Sequence, residues 1–233
     1  MVKKNLTLMI WAVWLLVFIF WSSSSFAVQL NNTRVVVPGA TDFGTVVVKN
    51  PSSEPFVVQS WIEGPNGEME TPFFVTPPLL RMDAKEEFLL NIMKVAGGLP
   101  EDRESYFWLN VLEIPRENEN NTNVLMFAVK TRIKVFYRPE GIGYPEAVEN
   151  YLEWTLSDPN HCILTLNNIS AFIINFSAIN INDELLESSK GFMAMPFSAQ
   201  SIELPSCSGA LRIDATVIND YGALVRLSPV PIR

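Results

Sequence analysis

Histidine is nearly absent from this chain. The 233 residues include one, His161, and two cysteines, Cys162 and Cys207. Structural zinc wants four Cys or His ligands, so these three are too few. A Ser-His-Asp or Cys-His site gathers its members from separated segments, whereas His161 stands beside Cys162. It reads as a turn-capping or exposed histidine. Positive charge is also scarce, with 17 Lys and Arg against 25 Asp and Glu, a net charge of −8. That balance argues against nucleic acid as a partner. No Asp/Asn-rich calcium loop occurs. Gly141-Ile-Gly143 lacks the third glycine and the strand–helix setting of a dinucleotide loop. Glu86-Glu87 and the Glu117/Glu119 pair read as solvated faces and loops. No catalytic residue, no metal site and no cofactor is expected. Few segments hold a helical period for long, which leaves an all-β chain.

The N-terminus is a targeting signal. Lys3 and Lys4 precede an almost unbroken apolar run from Leu8 to Trp21, and Ser25-Phe-Ala27 supplies small residues for cleavage. The run is short for a spanning helix, which needs about 20 residues. Residues 1–27 are therefore expected to be a signal peptide, with the mature chain starting at Val28. In an exported chain Cys162 and Cys207 favour a disulfide; two buried thiols are the other reading. Closing that loop contributes at most about 4 kcal/mol in the chain-entropy model.

Short β-branched or aromatic runs follow: 35–37, 44–48, 56–62, 88–93 and 106–112. Turn formers separate them, among them Pro38-Gly39, Asn50-Pro51, Pro65-Asn-Gly67 and Gly97-Gly98. About seven strands of this kind suit an immunoglobulin-like sandwich. Gly141-Ile-Gly-Tyr-Pro145 reads as a hinge, and 144–151 as one helical turn. Strand signals resume at 151–156, 163–166, 172–181, 200–204, 211–218 and 225–227. The expected domains are 28–143 and a smaller β-sandwich at 146–233. Glu117 to Asn123 is polar and reads as an exposed loop. Asn31, Asn168 and Asn175 head short glycosylation-like patterns, which also arise by chance.

One strand breaks the normal alternation. Val124 to Val129 is apolar at six consecutive positions, so both faces of that half want cover. From Lys130 the pattern changes: Lys130, Arg132 and Lys134 share one face, and Thr131, Ile133 and Val135 the other. The strand expected over 123–138 thus has a greasy half and a cationic half. Such a surface suits lending a strand to another protein and holding a negative group at one end.

The whole mature chain resembles the periplasmic pilus-assembly chaperones of the chaperone–usher pathway. The resemblance is carried by Thr33-Arg34-Val35, Gln59-Ser-Trp-Ile62, Val75-Thr-Pro-Pro-Leu79, Arg81-Met-Asp83, Leu99 to Ser105, Phe107-Trp-Leu-Asn110, Glu113-Ile-Pro115, Thr131 to Pro139 and Ile218-Asn-Asp-Tyr-Gly222. It implies two immunoglobulin-like β-sandwich domains in an L-shaped, boomerang arrangement. It implies that Arg34 and Lys134 grip the C-terminal carboxylate of a pilus subunit, and that Leu125, Phe127 and Val129 fill that subunit's open groove. The donated strand spans 123–134, and an outer-membrane usher receives the subunit. Glu104, Arg138 and Asp220 match an ionic network between the domains. A disulfide in the second domain varies within the family, so Cys162–Cys207 rests on count and compartment.

Phe127 stands where relatives often carry a smaller branched residue, which implies a wider pocket in the client. Without client, a self-capped homodimer is expected. Two other readings stay open at this stage: an exported structural pilus or adhesin subunit, and an exported hydrolase.

Overall fold

A computed structural model describes residues 27–115, 127–158 and 160–232. The expected signal segment, apart from Ala27, lies outside the described residues, as does Leu125. Nine strands form the first domain. They are β1 (Gln29–Leu30), β2 (Arg34–Pro38), β3 (Phe43–Lys49), β4 (Phe56–Glu63), β5 (Phe73–Thr76), β6 (Leu79–Met82), β7 (Glu87–Lys94), β8 (Ser105–Pro115) and β9 (Val129–Arg138). One sheet runs β2-β9-β8-β4-β6 and the other β1-β3-β7-β5. Strict alternation explains the two layers: β3 buries Gly44, Val46 and Val48, and β4 buries Phe56, Val58, Ser60 and Ile62. Their inner faces meet in a core that includes Val37, Leu90, Ile92, Leu109, Val111 and Val135.

The second domain has its own core, with Leu164, Leu166, Phe176, Ile179 and Ile213 among its members. A 3-10 turn (Val148–Tyr151) leads into β10 (Leu152–Asp158), β11 (Ile163–Asn168), β12 (Ile174–Ile181), β13 (Glu184–Leu185) and β14 (Met193–Ala194). Then follow β15 (Ser198–Glu203), β16 (Leu211–Ile218), β17 (Leu224–Arg226) and β18 (Val230–Ile232). A sheet β10-β11-β15 faces a sheet β13-β12-β16-β17, on which β14 also pairs with β12 and β18 with β16. Fully buried Asn168 ties its corner: its amide donates to the Phe172 and Ala194 carbonyls at 2.8 and 3.0 Å, and its oxygen accepts from Ser170.

The described fold departs from the expected one in two places. Nine strands precede the hinge, not seven: β1 has two residues, and β5 and β6 have four each on either side of Pro77-Pro78. Runs that short give no readable period. Of the strand expected over 123–138, residues 123–126 lie outside the described residues, and pairing among the described residues starts at Val129. Val129 lies opposite Glu113, two residues before β8 ends at Pro115, and residues 127–128 have no strand neighbour. Asn168 and Asn175 are buried, so neither offers a sugar-accepting surface, as a chance match implies.

Between the domains, Gly141 and Gly143 both take positive φ (97° and 76°), a conformation that side-chain-bearing residues seldom adopt. Cys162 and Cys207 are disulfide-bonded, 45 residues apart with Cα atoms 5.3 Å apart. The bond links the turn before β11 to the loop after β15. Replacing both cysteines with serine should destabilise the second domain by about 2–4 kcal/mol. Hydrogen exchange read by domain should accelerate in β11 and β15 and stay unchanged in β3 and β8.

Candidate functional site: paired cations at the end of an open strand edge

Two neighbouring strands build the site. β2 pairs with β9 in parallel, in a register that sets Arg34 opposite Lys134 and Pro38 opposite Arg138. In-register neighbours point to the same face, so the two cations lie side by side. Each reaches across to the second domain. The Lys134 ammonium donates to the Asn175 side-chain oxygen at 2.6 Å, and an Arg34 NH group donates to the Ile218 carbonyl at 3.1 Å. Asn175 and Ile218 are themselves cross-strand partners of β12 and β16. A register pair in one domain therefore touches a register pair in the other.

Both partners are neutral oxygens. Among the described residues, neither cation has an ion pair with a carboxylate. Arg34 is only 8% exposed, and its Nε–H is buried without a hydrogen-bond partner. Burial, and then the neighbouring Arg34 charge, push the Lys134 ammonium down to about 8. Burial likewise lowers Arg34, against the pull of Asp220. Two partly desolvated cations with unused donors form a ready anion site.

Four residues along β9 the domains are clamped. Buried Arg138 donates through Nε to Glu104 at 2.7 Å and through both NH groups to Asp220 at 2.8 and 2.9 Å. The second Glu104 oxygen accepts from the Ile173 N–H at 2.8 Å, and the Glu104 N–H donates to the Ala171 carbonyl at 2.8 Å. Burial pushes the Glu104 carboxyl above its ordinary value, although Arg138 and the Ile173 N–H pull the other way. Phe172 lies under the guanidinium, 5.4 Å from ring centroid to Cζ. A cleft of about 270 Å³ lies beside this cluster, lined in part by Arg34, Phe136, Arg138, Phe172 and Asp220.

The remaining feature is an edge. β8 covers one side of β9 from Val129 to Tyr137. On the other side β2 begins only at Lys134, so Val129 to Ile133 have no strand there among the described residues. Phe127 and Val129, at the far end of this edge, are 70% and 38% exposed. The edge ends at the two cations.

The structure thus brings together Arg34 with Lys134, and Glu104 with Arg138 and Asp220. His161 is exposed on a turn, 2.7 Å from Asp158 and remote in sequence from these groups. Sequence reasoning missed Asn175, the Ile218 carbonyl and the Ala171–Ile173 backbone. A backbone group carries no side-chain signal, and Asn175 was legible only as part of a glycosylation-like pattern.

These features define a two-domain, immunoglobulin-like protein with an open strand edge that ends at two adjacent, partly buried cations. The chain belongs to the PapD family of pilus-assembly chaperones. Residues 27–143 match the family model described as pili and flagellar-assembly chaperone, PapD N-terminal domain, and 147–229 match pili assembly chaperone PapD, C-terminal domain. The probable fimbrial chaperone LpfB of Escherichia coli O157:H7 is 37% identical over 90% of this chain and 91% of its own length. The chaperone FimC of Escherichia coli K12 is 35% identical over 84% of this chain and 81% of its own. A chain of the Salmonella enterica SafA pilin–SafB chaperone complex superposes with TM-score 0.77 at 28% identity, covering 90% of this chain and 97% of that one. The periplasmic chaperone SfaE superposes at 0.72 with 32% identity, covering 88% and 99%. The chain is a fimbrial chaperone rather than a fibre subunit, in a family whose role is non-catalytic.

Removing the central cation should expose the asymmetry of the clamp. Arg138→Ala leaves the buried Glu104 charge uncompensated and should cost about 3–5 kcal/mol. Asp220→Asn should cost less, because the Asp220 side chain is 33% exposed. Urea denaturation of the two variants checks the order.

Proposed function

We propose that this chaperone works in the periplasm by lending the 123–134 segment to pilus subunits and passing them to an outer-membrane usher. The observation that carries the reading is the open edge of β9, which stops at Arg34 and Lys134. A subunit's last strand fits that edge in one direction. Its terminal carboxylate meets the two cations, so it runs parallel to β9, on the line that β2 continues. The charge-assisted bonds set the register, and backbone pairing extends from them.

Leu125, Phe127 and Val129 then enter the subunit's apolar groove, which would otherwise aggregate. Burying three such side chains contributes roughly 5–8 kcal/mol before ordering costs. The Glu104–Arg138–Asp220 cluster holds the second domain where Asn175 and Ile218 can support the cations. Residues 1–27 are the export signal, and 28–143 and 146–233 are the working domains. Without a client, the same edge caps itself against a second copy as a homodimer. A species that sediments as a monomer at high micromolar concentration would overturn that last point.

The test is co-expression with pilus subunits of the same genome, followed by purification of periplasmic complexes. A one-to-one complex should form with the wild type and be lost in both Arg34→Ala and Lys134→Ala. A complex that survives both changes would sink the anchor assignment.

Binding should also depend on pH. Free Lys134 titrates near 8. A bound carboxylate raises that value, so the complex binds a proton more tightly than the free chain does. Affinity is then full below pH 8 and falls as pH rises above it, by up to about tenfold per unit. Lys134→Arg should flatten this profile, as read by titration calorimetry between pH 7 and 9.5.

A further inference from the structure

We infer that the chain also selects clients by charge, through a ladder of cations on β9 that recognises acidic side chains on the client's last strand. The inference rests on the strand-lending reading above and deepens it. Lys130, Arg132 and Lys134 occupy alternate positions of β9. The intervening Ile133 and Val135 belong to the first core, so the cations face away from it. Three cations on one strand face stand out in a chain of net charge −8.

Two tryptophans underlie the ladder. The Arg132 guanidinium carbon lies 4.3 Å from the Trp108 ring centroid, and Lys134 Nζ lies 5.8 Å from the same ring. Lys130 Nζ is 5.9 Å from the Trp61 ring. Among the described residues one carboxylate bonds to this face: Glu63 accepts from Arg132 at 3.0 Å and from the Trp61 indole N–H at 2.8 Å. Three cations against one carboxylate leave the face positive. Arg132 and Lys130 flank the stretch of β9 whose other edge is open.

A strand added there, parallel to β9, puts its carboxylate at Lys134 and Arg34. Alternate residues behind that carboxylate then point to the outward face, beside Arg132 and next beside Lys130. The others point inward, on the side of Phe127 and Val129. Opposite charges on neighbouring strands stabilise their pairing, and like charges oppose it. The fitting client therefore ends in a strand with apolar residues at one parity and Asp or Glu at the other. A client with Lys or Arg at the second parity is rejected.

The probes are twelve-residue synthetic peptides of alternating Val and Thr, ending in a free carboxylate or a carboxamide. Two Thr near the C-terminus are changed to Asp or to Lys, in peptides of both parities. Binding to the full mature chain is read by fluorescence anisotropy at low salt. In the parity that binds, each Asp should tighten binding by about two- to fivefold over Thr, and each Lys should weaken it similarly. The preference should vanish in the Lys130→Gln/Arg132→Gln variant and reverse in Lys130→Glu/Arg132→Glu. The advantage of carboxylate over carboxamide should persist in all three proteins. Equal binding of Asp and Lys peptides to the wild type would overturn the inference and leave strand lending intact. So would an Asp preference that survives Lys130→Gln/Arg132→Gln. If carboxylate and carboxamide peptides bind alike, or none binds, the anchor reading fails and this inference falls with it.

Discussion

The parallel register of β2 against β9 is the constraint on which the rest of the site depends. It sets Arg34 beside Lys134 and, four positions on, Pro38 beside Arg138. A slip of one residue would send the cations of one strand to the opposite face. The same short ribbon therefore carries both the cation pair and the domain clamp. Each end is tied to the second domain, through Asn175 and Ile218 at one end and Asp220 at the other. The two tasks differ in their chemistry. Arg138 is satisfied by two carboxylates inside the molecule, whereas among the described residues the hydrogen bonds of Arg34 and Lys134 across to the second domain go to neutral oxygens.

That difference explains how two like charges tolerate each other's company. The carbonyl of Ile218 and the amide oxygen of Asn175 give each cation a hydrogen bond without cancelling its charge. An internal Asp at position 175 would form an ion pair that an incoming carboxylate would have to break. A neutral amide asks for no such exchange. Burial and the neighbouring Arg34 charge, which push the Lys134 ammonium down, oppose holding the site in this state.

Much of this was legible in the residues. Two-residue alternation marked the central strands of both sandwiches, and the Gly141–Pro145 hinge was marked by its glycines and proline. The alternation of Lys130, Arg132 and Lys134 with Thr131, Ile133 and Val135 marked the two faces of β9. Other parts were not legible, for identifiable reasons. β5 and β6 are short and separated by Pro77-Pro78. That Arg34 and Lys134 adjoin follows from a parallel pairing across a hundred residues of sequence, which no local pattern encodes. Their neutral partners are a backbone carbonyl and an asparagine that resembled a sugar acceptor.

The disulfide of the second domain has a consequence for where this protein becomes competent. It braces the domain that lends Asn175 and Ile218 to the cations, and it forms and persists in oxidising compartments. The proposed export would then be a chemical requirement as well as an address. A copy detained among cytoplasmic reductants would keep its strands but have a weakened half of the cleft. On the proposed role, the readiness of the cleft would thereby be coupled to the oxidising power of its compartment, before any subunit arrives.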